Sequence, residues 1–369
     1  MSRIGIQCDL SLLLASTPYD LADLKWITQE AISAVKTGNQ VFILFEKADR
    51  WGYAHRSLIR DAIDESSGRV TRREAIKEAL YSAIGEPLIM QTILPLMQEA
   101  HVETGHLRVG RDTLCEQAQY EIVRSVSFHL LLGGGIPVFF SRPLRGTADR
   151  HESAALLSAA LCADDLVSIV SAEDLKLLHS KLTPGLPGRS VYELNTVLNK
   201  SSEQDFQRLW LKKLVETAKV ITGFGTNLAL CKLGADGGIF GSLRSDVGTN
   251  FVVVAEGVKL KQRKSWIGLA AESKGDVIVS SFLAEALLAG RPASILLIGV
   301  ESVSGMFERN DVVSVRDLAG GVLGRGEVRI SSEELRTSIA ERRAGSGDFS
   351  GREVIHADYF VRNPALGSD

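Results

Sequence analysis

Through the first 255 positions, short runs of consecutive apolar residues alternate with longer stretches whose apolar positions recur every three or four residues. The short runs predict buried strands at Ile4–Gln7, Gln40–Phe45 (QVFILF), Ile136–Phe140 (IPVFF), Leu166–Val170 and Phe251–Ala255 (FVVVA), with Val220–Thr222 a further short one. The longer stretches predict helices at Leu21–Lys36, Glu86–Ala100, Gln117–Leu132, Ser153–Leu161 and Phe206–Ala218. Gly38-Asn39 stops the first of these, Pro95 is placed to kink the second, and Gly133-Gly134-Gly135 stops the third. Strands that are apolar throughout, alternating with helices, imply α/β architecture with a largely parallel sheet covered on both faces. Leu182–Ser201, with Pro184, Gly185, Pro187 and Gly188, reads as an excursion from that core.

The pattern changes after Glu256. Val258–Lys264 (VKLKQRK) reads as a basic, solvated connector, and Trp266 is the one aromatic beside it. Shorter strand-like pieces follow at Asp276–Ser280, Ser294–Ile298, Gly305–Glu308, Val312–Asp317 and Glu327–Ile330. One helix spans Ser281–Leu288, and another starts at the capping sequence Ser331-Ser332-Glu333-Glu334. This is a small β-rich domain. The expected division is 1–257 for the first domain, 258–262 for a linker, 263–363 for the second domain and 364–369 for a tail. Two domains also suit the length, since 369 residues exceed the roughly 250–300 at which one core stops growing.

Composition narrows the classes of function without choosing one. The 42 basic and 45 acidic residues nearly cancel, so no overall charge demands a nucleic acid or an anionic membrane. Cys8, Cys115, Cys162 and Cys231 are far apart and form no zinc spacing, so free thiols in a reducing compartment are expected and no metal site. Asp9 interrupts the early apolar run, and no stretch of about 18 uncharged apolar residues occurs, so neither a signal peptide nor a membrane span is expected. The expectation is a cytoplasmic protein.

The most specific signal is an ordered series of landmarks late in the chain. It comprises Arg263-Lys264, Trp266-Ile267, Lys274-Gly275, Leu287–Gly290, Ser294–Val300, Gly305, Phe307-Glu308-Arg309, Asp311-Val312-Val313, Ser331–Leu335, Glu353–His356 and Asp358. This series resembles the PUA domain, a small β-barrel, that closes bacterial glutamate 5-kinases. Upstream, AIGEPLIMQTILPLMQEAHVETGHLRVGRDTLCEQAQY followed by GGGIPVFF resembles the amino acid kinase domain of the same family. The resemblance implies an amino-acid-kinase-like αβα sandwich followed by a PUA-like domain. For an active member it implies ATP and Mg²⁺, glutamate as acceptor, and a place in proline biosynthesis.

Phosphoryl transfer to a carboxylate needs backbone amides and lysines around the phosphates, because charge spreads over their oxygens in the transition state. The family's motifs for this task are altered one after another here. A Lys-Leu-Gly-Ser turn after the first strand aligns with Gln7-Cys8-Asp9-Leu10, so an amide stands where a lysine is expected. The Ser-Gly-Ala turn after the second strand aligns with Phe45-Glu46-Lys47-Ala48. An Asn-Glu-Asn-Asp substrate motif aligns with Phe140-Ser141-Arg142-Pro143, and Gly-Asp-Asn-Asp aligns with Ala148-Asp149-Arg150-His151. A Thr-Asp nucleotide pair aligns with Ser171-Ala172. The last glycine motif keeps Gly237-Gly238 but replaces its lysine with Ser242.

The resemblance therefore implies a divergent, catalytically inactive homologue, a pseudokinase with a regulatory, scaffolding or ligand-binding role. Two alternatives stay open. One is an active ATP-dependent kinase of glutamate or a related carboxylate, with a site rebuilt from Asp9, Lys47, Asp149, Arg150, His151, Lys232, Gly237 and Gly238. The other is an RNA-binding protein acting through the PUA-like domain. The expected partners are copies of itself, or an active kinase or other enzyme of the pathway. The helix at Glu86–Ala100 holds more apolar residues than one stripe needs, so part of it is expected at an interface.

Overall fold

Strands that are apolar throughout need both faces covered, and the first 255 residues meet this demand with one seven-stranded sheet. The computed structural model of the chain describes residues 1–13, 21–54, 70–141, 152–181, 206–235, 238–241, 250–255, 259–289, 294–345 and 351–363. The strands are β1 (Arg3–Asp9), β2 (Gln40–Glu46), β3 (Thr104–Val109), β4 (Ile136–Ser141), β5 (Asp165–Val170), β6 (Asn227–Lys232) and β7 (Asn250–Val253). Their order is β3-β4-β2-β1-β5-β6-β7. All neighbours run parallel except β7, which is antiparallel to β6.

Side-chain alternation divides the strands between two cores. Ile4, Ile6 and Cys8 of β1 join Val41, Ile43 and Phe45 of β2 on one face, beneath the Ala22–Lys36 and Val70–Glu99 helices. The helix expected at Glu86–Ala100 is thus the second half of a longer one, and it runs through both Pro87 and Pro95. Its Ile89, Met90, Ile93 and Met97 are buried against the sheet of their own domain, with Leu88, Leu94 and Leu96 packed alongside. Ile89, Met90, Ile93 and Met97 thus serve the core of their own domain, while Leu88, Leu94 and Leu96 are partly buried. They are so numerous because the helix is covered by both the sheet and the Ala22–Lys36 helix. Gly52 and Gly85 let the Ala48–Ala54 helix meet this long helix backbone to backbone, because a Cβ at either position would strike a carbonyl of the other.

The chain divides into two compact units, Met1–Thr113 with Glu121–Lys259, and Leu260–Asp369 with Leu114–Tyr120. The second is built on a curled six-stranded sheet of β8 (Gly275–Val279), β9 (Ile295–Leu296), β10 (Val300–Gly305), β11 (Val312–Arg316), β12 (Val322–Val328) and β13 (Glu353–Arg362). The order is β10-β8-β11-β12-β13-β9. Val277, Val279, Val313, Val315, Leu335 and Ile355 fill its core. Ser331 caps the Ser332–Arg343 helix by accepting from the Glu334 amide, as the capping sequence predicts. From that helix Arg342 donates to the carbonyls of Leu297, Ile298 and Val300, at 2.5–2.9 Å.

Three sequence expectations are corrected. Val220–Thr222 is not a strand but the end of the Phe206–Gly223 helix, and the Thr222 hydroxyl donates to the Ala218 carbonyl one turn back. Gly305–Glu308 is not a strand, because Gly305 ends β10 with φ +79° and Phe307 turns into the core. Arg263 and Lys264 are not part of a freely solvated connector but half-buried and partnered. Arg263 pairs with Glu327 at 2.6 Å and lies over the Trp266 ring, and Lys264 donates to the Ala357 carbonyl.

Candidate functional site

In an open parallel sheet, ligands bind beyond the carboxyl ends of strands where the connections reverse direction. Here the chain leaves β1 toward β2 and leaves β5 toward β6, so that point lies at the ends of β1 and β5. Register puts Asp9 level with Glu46 and Val170 level with Lys232, which brings Gln7, Asp9, Glu46, Lys47 and Lys232 to one rim.

Gln7 is buried on β1, and its side-chain amide donates to a Glu46 carboxylate oxygen at 3.0 Å; Glu46 is buried too. At a position where the resemblance implies a lysine facing phosphate, the chain therefore holds a neutral amide fixed by its own acid. Asp9 accepts from both the amide (2.9 Å) and the hydroxyl (2.6 Å) of Ser11, at the start of the Leu10–Leu13 helix. Lys47 forms an ion pair with Asp9 and donates to the Ser11 hydroxyl at 2.9 Å. Lys47 is left-handed, with φ +59°, a conformation that favours glycine. Its side chain is folded onto Asp9.

Burial pushes the Cys8 thiol well up, and the carboxylates of Asp9, Glu46 and Asp23 push the same way. Burial also raises the Asp49 carboxyl, at the first turn of the Ala48–Ala54 helix. Arg50 and Lys47 oppose that rise at Asp49. Lys232 is exposed at the end of β6 and makes no ion pair among the described residues.

Two further positions are occupied internally. Ser171 keeps the hydroxyl of the expected nucleotide pair, but it caps the Ala172–Lys181 helix, accepting from the Asp174 amide at 3.1 Å and donating to its carboxylate at 2.7 Å. Gly238 has φ +72°, and a Cβ there would strike the Glu30 carboxylate, which accepts from the adjacent Ile239 amide at 2.7 Å. Asp149, Arg150, His151, Gly237 and Ser242 lie outside the described residues. Among the described residues, no group of three or more His, Cys, Asp or Glu could hold a metal ion, and no helix is long and apolar enough to cross a membrane.

Sequence reasoning missed a second charged group away from this rim. Glu86 is buried on the Val70–Glu99 helix and holds Arg108 of β3 through both carboxylate oxygens, at 2.7 and 2.9 Å. His106 lies 3.1 Å from the same carboxylate and edge-on to Phe140. The hydrogen bonds to Glu86 raise the Arg108 guanidinium above its usual range, against a partial loss of solvation. The available signal was the acid inside the apolar run AIGEPLIM, which burial obliges to find a partner.

Residues 275–344 match the PUA domain. The chain is similar to the glutamate 5-kinase of Dictyoglomus thermophilum, with 25% identity over 292 residues, covering 77% of this chain and 76% of that one. It is also similar to the glutamate 5-kinase of Thermotoga maritima, with 22% identity over 339 residues and 90% of each chain covered. Among solved structures, a carbamate kinase from Giardia lamblia bound to AMP-PNP covers 68% of this chain and 98% of its own, with 10% identity and a TM-score of 0.47.

Proposed function

We propose that this divergent homologue of glutamate 5-kinase, with its PUA domain, no longer phosphorylates glutamate and acts through binding, as a regulatory or scaffolding pseudokinase. One observation carries the reading: at the ends of β1 and β2, the chain's own carboxylates occupy the groups that would receive phosphate. Glu46 holds the Gln7 amide, and Asp9 holds Lys47. A polyphosphate brought to this rim meets acids at Asp9 and Glu46, with Lys47 already neutralised. The described residues therefore do not fit ATP and Mg²⁺. Loss of a single preorganised electrostatic stabiliser costs on the order of 10²–10³ in rate, and here two lysine positions are changed, at Gln7 and Ser242. The partners this reading favours are an active kinase or another enzyme of the same pathway.

The test is the purified full chain with ATP, Mg²⁺ and glutamate, trapping any γ-glutamyl phosphate as the hydroxamate. The expected result is no product above the enzyme-free control. Robust hydroxamate formation would overturn the proposal and favour the second reading, a kinase with a rebuilt site. The observation on that side is the exposed Lys232 at the same rim, so Lys232→Ala would then abolish the product.

A further inference from the structure

We propose that Arg3 and Arg124 form a site for a small tetrahedral oxyanion, free phosphate or a phosphate monoester not chelated by Mg²⁺, at the amino ends of β1 and β5. This is the end of the sheet opposite the rim, so the inference stands whether or not catalysis remains. The Glu152–Ala160 helix stops here, and three cations from three parts of the chain meet the carbonyls at its end. Arg124 of the Gln117–Leu132 helix donates to the Ala160 carbonyl at 3.0 Å. Arg3, at the start of β1, donates to that of Leu161 at 2.5 Å, and Lys259 to that of Cys162 at 3.2 Å.

A helix end carries the equivalent of about half a negative charge, which one cation more than offsets. The nearby acids do not balance the rest. Asp164 pairs with Lys259, and burial raises the neighbouring Asp165 carboxyl. Among the described residues, neither the Arg3 nor the Arg124 side chain forms an ion pair with an acid; their hydrogen bonds go to Gln40 and to the two carbonyls. Burial lowers the Arg3 guanidinium against the pull of Cys162 and Asp164, and Arg124 adds to the lowering. Two partly desolvated cations that repel each other call for a counter-charge.

The geometry selects the class of anion. Both guanidiniums lie over one ring, each 4.4 Å from the centroid of Phe128. Their central carbons are therefore at most twice that distance apart, a gap that one oxyanion spans through N–H···O contacts of about 2.8 Å on each side. The shared ring and the bonds to Gln40, Ala160 and Leu161 hold both planes in place before a ligand arrives. Of the five N–H donors on each guanidinium, Arg3 uses three and Arg124 one, and both side chains are half-buried, so donors remain within reach of solvent. A carboxylate offers two coplanar oxygens, which suit one fork. A tetrahedral phosphate offers oxygens in divergent directions, which suit two.

The experiment is thermal unfolding of the full chain in inorganic phosphate, and separately in glycerol 3-phosphate, against chloride at equal ionic strength and without Mg²⁺. The expected result is a rise in midpoint that saturates in the millimolar range, and the two arms separate free phosphate from a phosphate monoester. Phosphate also strengthens apolar burial in general, but that effect does not saturate. Arg124→Gln is expected to weaken the saturable effect by at least about tenfold. A wild type with no saturable rise in either arm, or a folded Arg124→Gln with an undiminished one, would overturn the proposal. So would a rise that Lys232→Ala removes, since the anion would then sit at the rim. A chemical measurement needs no variant: phosphate is expected to slow phenylglyoxal modification of Arg3 and Arg124 several-fold, while the exposed Arg309 reacts at an unchanged rate. Equal modification of Arg3 and Arg124 with and without phosphate would equally overturn it.

Discussion

Lys47 combines two opposed effects in a single residue. Its left-handed backbone is strained for a side chain with a Cβ, by about 1 kcal/mol, and its ammonium gains an ion pair with Asp9 in a half-buried setting. Such pairs are worth roughly 0–1 kcal/mol when partly solvated. Lys47→Gly removes both effects, whereas Lys47→Ala removes only the favourable one. The expected outcome is that Lys47→Gly is more stable than Lys47→Ala by about 1 kcal/mol in urea unfolding, and within about 1 kcal/mol of the parent. Equal stability of the two variants would show that the turn relaxes out of the left-handed region. The candidate site was partly legible at this scale: Asp9 and Lys47 could be named from the sequence, and the structure joins them. Glu46 and Glu30 could not be identified as the acids that occupy the rim, because their partners lie 39 and 209 residues away in the chain.

The elements show where the sequence pattern informs and where it fails. QVFILF, IPVFF and DLVSIV are strands because no helix buries a run of consecutive side chains as well as a strand between two neighbours does. β6, NLALCK, was not foreseen because alanine and leucine suit a helix equally well; its strand state is set by pairing with β5 and β7. β3, TGHLRV, was hidden by its polar edge residues, whose partner Glu86 sits in another element. The Ser332–Arg343 helix carries a prediction of its own. Arg342 serves three carbonyls from one planar guanidinium, which a lysine ammonium cannot match in geometry. Arg342→Ala is expected to destabilise the second unit by about 1–3 kcal/mol, with Arg342→Lys recovering less than half. Thermal unfolding of the full chain measures both, and full recovery by lysine would mean that charge, not the fork, holds the helix.

For the molecule as a whole, the proposal separates the scaffold from the chemistry of its relatives. The seven-stranded sheet and the match to the PUA domain stand beside a described rim where Glu46 holds the Gln7 amide and Glu30 accepts from the Ile239 amide. Ligand binding is coupled to global stability, so this has a direct consequence. A ligand that binds only the folded chain raises stability by about 2.7 kcal/mol at one hundred times its Kd. Millimolar ATP with Mg²⁺, alone or with glutamate, is therefore expected to leave the unfolding midpoint unchanged. A rise of several degrees would reveal a nucleotide site outside the described residues. Proline and other small amino acids are informative in the same assay, since a retained regulatory pocket would respond to one of them while ATP would not.

The position of β1 has a further consequence, for the order in which the protein can be made. β1 is made before the other six strands of its sheet, yet it sits in their middle. β2 follows soon, but the other neighbour, β5, is distant: the Arg3 amide donates to the Asp164 carboxylate, 161 residues on. At translation rates of roughly 5–20 residues per second, that edge stays open for about 8–30 s while the intervening chain is synthesised. Until then a β1–β2 ribbon has both edges uncovered, the β2 edge waiting for β4 and the β1 edge for β5, the kind of surface that chaperones recognise and that misassembles when crowded. Faster synthesis through residues 47–164 shortens that interval and is expected to raise the fraction of chains that reach the native state, which the soluble yield at matched expression measures.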